Sequence, residues 1–253
     1  MKIAQTGIIR LSASFLFLVL IATPGRVINA QQSIRFGIHA DPLVSWFTSD
    51  NKDIMNDGAR PGLNFGLTFN KYFAENYAFS TGLNLITAGG NLVCNDTIEM
   101  MLNNSTTVLP GNRVTYNIKY LALPLGLKLQ SNQIGYITFF TDLGLDPKFV
   151  LGGKASIPSI GIEKENAVNE LNNINVGYHI TGGIEYSLGG STALVFGLSF
   201  DSNFIDITKE NGNQPVDKIL HMIIPFGSTQ SWRDSVLHLY LPPVLEMEST
   251  SYL

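Results

Sequence analysis

Six ionisable residues fall on the polar faces of alternating segments: Arg35, His39, Lys119, His179, Glu185 and Asp201. A histidine beside a carboxylate is the pairing of general acid–base catalysis, in which Asp201 or Glu185 would orient His179 as the base. The same set also suits a narrow enclosed lumen, because a charge taken out of water must find a partner or become neutral. No nucleophile on a strained turn, no phosphate-cradling glycine pattern and no Cys/His spacing of a zinc site accompanies these residues. They are therefore read as a lumenal polar network, with no catalytic, cofactor-binding or metal-binding role.

The elements that must position them are strands. Ile34–Phe47 alternates Phe36 and Ile38 against Arg35, Gly37 and His39. Pro61–Asn70 sets Leu63, Phe65, Leu67 and Phe69 against Asn64, Gly66, Thr68 and Asn70, and Tyr77–Ala88 sets Phe79, Leu83 and Leu85 against Ser80, Gly82 and Asn84. A face of Gly, Asn, Ser and Thr is too polar for a sandwich core and fits the wet interior of a barrel. Asn173–Ser187 repeats the pattern with His179, Thr181 and Glu185 inside, and Thr192–Ile207 does so with Ser199, Asp201 and Asn203. In Arg113–Gln130, Tyr116, Ile118 and Tyr120 are expected outside and Lys119 inside, followed by a change of phase through the leucines. Pro124 is the expected kink, since proline cannot donate to a ladder. Gln133–Lys148 is apolar on both faces and has no readable orientation, and Lys218–Phe226 is the least distinct strand.

The connections alternate in length. Tight ones fall at Lys71–Asn76, Gln130–Gln133 and Ser187–Ser191, and wide polar ones at Thr48–Arg60, Gly89–Arg113, Gly153–Asn172 and Thr208–Asp217. Eight antiparallel strands with short turns on one side and four long loops on the other describe a small transmembrane β-barrel of the outer membrane, with short periplasmic turns and both termini in the periplasm. Aromatic residues gather at strand ends (Trp46, Phe47, Tyr72, Phe73, Tyr77), as interfacial girdles require.

Composition agrees with this placement. Charged residues are 14% of the chain, against about 25% in a typical soluble protein. The mean hydropathy is positive without long apolar blocks beyond the first residues, so the competing class is a secreted β-sandwich rather than a helical membrane protein. Residues 1–30 read as a cleaved signal peptide: Lys2 and Arg10 precede the apolar stretch from Leu11 to Ala22, and Ile28-Asn29-Ala30 offers a cleavage site between Ala30 and Gln31. The net charge of −4 comes with scattered Lys and Arg, which excludes nucleic acid as the expected partner. The lone Cys94 forms no internal disulfide. Carboxylates and amides in Ser49–Gly58 have the chemistry to hold calcium, but Met55 occupies a would-be ligand position and a solvated loop is the simpler reading.

Arg35-Phe-Gly-Ile-His-Ala40, Gly62-Leu-Asn-Phe-Gly-Leu67, Tyr120-Leu-Ala-Leu-Pro-Leu-Gly-Leu-Lys128 and Gly182-Gly-Ile-Glu-Tyr-Ser-Leu188 resemble the PorT-type outer-membrane β-barrels of the Bacteroidota. The resemblance covers the chain to about Phe226, departing at Ala122, where many such barrels carry glutamate. Lys52–Arg60 and Tyr136–Leu145 look closest to the members that serve the type IX secretion system. The resemblance implies a non-catalytic outer-membrane component required for secretion of proteases and other cargo, with other type IX secretion components and outer-membrane lipid as partners. An adhesin or small-ligand receptor acting through the long loops is the alternative. The barrel is expected over 31–226, leaving 227–253 as a C-terminal tail of uncertain structure, either a native periplasmic tail or a frameshifted end.

Overall fold

A computed structural model describes residues 33–49, 54–102, 105–209 and 218–232. The strands are β1 (Ile34–Thr48), β2 (Ile54–Ala74), β3 (Tyr77–Cys94), β4 (Ile98–Met101), β5 (Ser105–Val108), β6 (Arg113–Ala122), β7 (Leu125–Gln130), β8 (Ile137–Ile157), β9 (Ile162–Asn166), β10 (Ile174–Gly189), β11 (Thr192–Asn203), β12 (Lys218–Ile223) and β13 (Phe226–Trp232). All pairings are antiparallel. β1 pairs β2 on one edge and β12 and β13 on the other. β3 joins β2 to β6 and β7, which both pair β8. β10 then joins β8 to β11, and β11 pairs β12 and β13. The path of pairings returns to the strand on which it began.

β6 and β7 are one alternating run interrupted at Leu123-Pro124, and β12 and β13 are another interrupted at Ile224-Pro225. Proline supplies no N–H for the ladder at either break. Leu123 N still donates to Pro147 O and Ile224 N to Pro42 O, so each break costs little pairing. β2 and β3 are joined by two residues, Glu75 and Asn76, and β10 and β11 by Gly190 and Ser191. Gly189 and Gly190 take φ of 98° and 63°, a region that glycine enters without a Cβ penalty.

The alternation expected for the first, second, third, sixth and seventh strands is present: Ile38, Phe65, Phe79 and Leu198 are half-exposed outside, while Asn64, Ser80, Glu185 and Asp201 are buried inside. The strand without a readable orientation, β8, puts Phe140, Asp142, Asp146 and Lys148 inside and Phe139, Leu143 and Leu145 outside.

The fourth strand departs from expectation. Tyr116, Ile118 and Tyr120 face inward, buried to 4%, 0% and 2% exposure, and Lys119 faces outward, exposed. No change of phase occurs at Pro124, because Ala122 and Lys128 continue inward on the same parity. What changes is the surrounding medium. From Leu121 to Leu129 the outside is leucine and the inside polar; from Arg113 to Lys119 the outside is polar and the inside apolar. The first half follows the rule of a wall in lipid, and the second that of a sheet in water. The phase change lies instead on β8. Tyr120 pairs Val150 while Lys119 pairs Gly152, so Leu151 is bulged out and the inward set passes from Asp146 and Lys148 to Gly153, Ala155 and Ile157.

The interior thus has two storeys. Towards the long connections it is an apolar core containing Phe47, Tyr116, Ile118, Tyr120, Leu171 and Ile219. Towards the short turns it is polar and charged. Three of the four wide excursions expected as loops are themselves largely strand where described: β2 starts at Ile54, β3 runs to Cys94, a β4–β5 hairpin follows, and β9 pairs the end of β8. The fourth, Thr208–Asp217, lies mostly outside the described residues. The boundary expected at Phe226 also moves. β13 continues to Trp232, pairing Ile34–His39 of β1 and Thr192–Phe196 of β11. The expected cleavage site at Ala30 and Gln31 and residues 233–253 lie outside the described residues.

Candidate functional site: a charge-paired lumen

Four groups of side chains meet across the polar storey. Nearest the short turns, Glu185 on β10 accepts from Lys128 Nζ on β7 at 2.6 Å and from Arg35 Nη1 on β1 at 2.7 Å. Arg35 lies over the Tyr72 ring at 4.7 Å and Lys128 over the Phe140 ring at 4.4 Å, so an aromatic face adds to the stabilisation of each cation, while Arg35 Nε is buried without a hydrogen-bond partner. Tyr72 in turn donates to Gln130 Oε1 at 2.7 Å.

His179 Nδ1 lies 2.9 Å from Asp146 Oδ1, and its Nε2 lies 3.6 Å from Asp142 Oδ1. Asp142 also accepts from Ser80 Oγ at 2.8 Å. His39 is held by Asp41 Oδ2 at 2.6 Å and by Asn84 Oδ1 at 3.1 Å. Asn64 Nδ2 donates to the same Asp41 oxygen at 2.9 Å, and Asp41 Oδ1 accepts from the backbone N–H of Phe226 at 2.9 Å. That last bond reaches across the β12–β13 break and satisfies the first amide of the closing strand. Under the apolar storey, Lys148 Nζ meets Asp201 Oδ1 at 2.5 Å, with His221 Nδ1 at 3.3 Å from the same oxygen. Both members of that ion pair are almost wholly buried.

Of the six residues singled out by sequence, the structure brings Arg35, His39, His179, Glu185 and Asp201 into the interior and leaves Lys119 on the outer surface. Neither Glu185 nor Asp201 hydrogen-bonds or ion-pairs with His179, although Asp201 stands directly opposite it in the β10–β11 register. Glu185 is committed to two cations and Asp201 to Lys148 and His221, while the carboxylates on His179 are Asp142 and Asp146. Sequence reasoning missed Asp41, Lys128, Asp142, Asp146, Lys148 and His221. The period-two series Asp142, Gly144, Asp146, Lys148 carried the signal for three of them.

A cavity of about 160 Å³ remains between these groups, lined by Asn64, Asn84, Lys128, Asp142, Asp146 and Thr181 among others. Each carboxylate around it already accepts from a cation, an imidazole or a hydroxyl. Among the described residues no group of three or more His, Cys, Asp or Glu is placed to hold a metal ion. The Ser49–Gly58 loop considered for calcium falls partly outside the described residues.

In the apolar storey Cys94 is buried and its thiol is pushed up to about 11 by desolvation, which makes it a poor nucleophile. The segment Ala167–Leu171 crosses this storey, with Ala167 and Leu171 fully buried. Its Glu170 accepts from Tyr116 OH at 3.1 Å, and burial raises its carboxyl to about 7.

Several solved structures resemble this fold. Ail, the attachment invasion locus protein of Yersinia pestis, aligns at 11% identity and a TM-score of 0.43, covering 80% of this chain and 99% of Ail. The outer membrane protein OprG of Pseudomonas aeruginosa aligns at 15% identity and a TM-score of 0.40, covering 81% and 98%. No residue role is carried across at that distance. Among curated proteins none matches. The model of the outer membrane protein beta-barrel domain matches residues 25–209, which is most of the chain. With its antiparallel sheet, lipid-type outer face and paired interior, this chain belongs to the outer membrane protein β-barrel domain family.

Proposed function

We propose that this protein is a closed, eight-stranded, multi-pass outer-membrane barrel serving as a non-catalytic component required for type IX secretion of proteases and other cargo, most like the secretion protein PorT. The observation that carries the reading is the filled interior, ion-paired in one storey and packed with apolar side chains in the other. The returning path of pairings supports closure. A barrel of eight strands has an interior just wide enough for side chains to fill, so function is left to its wall, turns and long connections. The partners on this reading are other type IX secretion components and outer-membrane lipid; the PorT-type segments at 35–40, 62–67, 120–128 and 182–188 select secretion among surface functions. The test is cargo location in a strain lacking the gene. Unprocessed protease trapped in the periplasm and released on complementation supports the reading; normal secretion refutes it.

The second reading is an adhesin or small-ligand receptor. It is favoured by the rigidity of the long connections, whose β4–β5 hairpin and β9 stand on an apolar core. Loop exchange separates the two, because a receptor loses binding while a secretion component tolerates changes in most external loops.

A further inference from the structure

The outward face of β6 and β8 changes character within one strand crossing. Leu121, Leu123, Phe149 and Leu151 form its apolar part, with Leu151 at 59% exposure. Immediately beyond stand Lys119 and Lys154, both exposed. Register places them on one face: Lys119 pairs Gly152 and Asn117 pairs Lys154, so the two lysines are diagonal neighbours. Side chains so placed stand about 7–8 Å apart at Cβ and converge easily on one group. Neither lysine has a hydrogen bond or ion pair among the described residues, although other cations of the chain do.

Two further features make this more than a solvated pair. Gly152, between the lysines, would meet no atom within 4 Å if it carried a Cβ, so the wall has a shallow notch there. The ladder partners of Lys119, Asn117 and Lys154 on β3 and β9 are Thr87, Gly89 and Asn166, none a carboxylate, and among the described residues the β9 carboxylates Glu163 and Glu165 form no ion pair with either lysine. The patch is therefore cationic and unopposed, with hydrogen-bonding side chains around it. It sits at the level where acyl chains would give way to headgroups.

We propose that Lys119, Lys154 and the Gly152 notch form a binding site for the phosphorylated headgroup of an outer-leaflet lipid, with Leu121 and Leu151 against its acyl chains. The assignment rests on the membrane placement above, and the two fail separately: loss of the barrel from the outer-membrane fraction refutes the placement, whereas the headgroup site is read on protein already inserted. In detergent-solubilised full-length protein, a diphosphorylated glycolipid (lipid A) raises the melting temperature, and the same lipid treated with phosphatase does not. The double variant K119Q/K154Q binds the phosphorylated lipid at least about tenfold more weakly, while the control K71Q/K218Q binds it as the parent does. Because both lysines are exposed and unpaired, the double variant keeps the parent's melting temperature without lipid. A second variant, G152L, fills the notch and weakens binding with both charges intact. Equal binding by parent and K119Q/K154Q, or equal binding of the phosphatase-treated lipid, overturns the proposal.

Discussion

Replacing Lys148 by methionine removes a cation from a place where its partner has no substitute. Asp201 Oδ1 accepts from Lys148 Nζ at 2.5 Å, and the side chains are 2% and 4% exposed. Its other neighbour is His221, wholly buried and 3.3 Å away, with the second ring nitrogen unpartnered. Asp201 also borders the lumenal cavity, so with its side chain 4% exposed only water held there could reach the abandoned carboxylate. Breaking a buried pair by removing one member costs about 3–5 kcal/mol, whereas replacing both members by apolar groups of similar volume is often close to neutral. K148M is expected near the middle of that range. The double variant K148M/D201L is expected to recover all but about 1–2 kcal/mol, the residue being the hydrogen bond that His221 loses. Urea titration of protein refolded into lipid vesicles, followed by tryptophan fluorescence, gives the free energies. With the single variant D201L completing the cycle, the double variant is expected to fall short of the sum of the two singles by a coupling energy of about 2 kcal/mol or more. If the double variant is as unstable as the two single changes added together, the pair is not coupled and the argument from burial is wrong. If K148M costs less than about 1 kcal/mol, water reaches this storey of the lumen and the interior is not filled as described.

Other perturbations test other parts of the fold. Glu170 is raised from its ordinary 4.5 to about 7, so it contributes stability that is full below pH about 4.5 and is lost as pH rises through 7; at ~1.4 kcal/mol per pKa unit the loss is at most about 3.5 kcal/mol. E170Q is expected to abolish that dependence and to protect residues 167–171 from hydrogen exchange at pH 8 relative to the parent. Arginine at Leu125, in the apolar outer face, is expected to cost about 2–4 kcal/mol in vesicles, while Lys119→Leu, beyond the acyl chains, costs under about 0.5 kcal/mol; equal costs would refute the inferred boundary of the acyl-chain region. Truncation after Phe226 removes the strand that covers β1 and β11, and the truncated protein is expected to lose the heat-modifiable gel mobility of a folded barrel.

Five of the strands were legible because they lie in one medium along the stretch that was read: Leu63–Asn70 and Asn173–Ser187 have one apolar and one small-polar face, and the period decides the rest. Arg113–Gln130 was misread for a physical reason. A strand that leaves lipid for water exchanges the chemistry of its faces without changing its geometry, and a one-residue shift of phase produces the same pattern of letters. Tyr116 and Leu125 point to opposite sides, yet both read as outward by an apolar-is-outside rule. β8 was illegible because its outward phenylalanines and leucines are interleaved with inward Phe140, so neither face looked polar until Asp142 and Asp146 were counted alone. The partners within the lumen were beyond reach altogether. Arg35 and Glu185 are 150 residues apart and sit on strands that do not pair; only the whole path of strand pairings brings them opposite.

The bond from Phe226 N to Asp41 ties the two ends of synthesis together. Asp41 is among the first wall residues made, and Phe226 opens the last strand. If the final strand slid by one residue, that carboxylate oxygen would face a different backbone group and lose its donor, and His39 would no longer stand opposite Gly227. The first strand thus holds a template against which the last is checked. A seam formed out of register leaves one carboxylate oxygen of Asp41 without its donor while His39 and Asn64 still hold the other, and that energy gap between correct and slipped pairing is written into the chain before β13 has been translated.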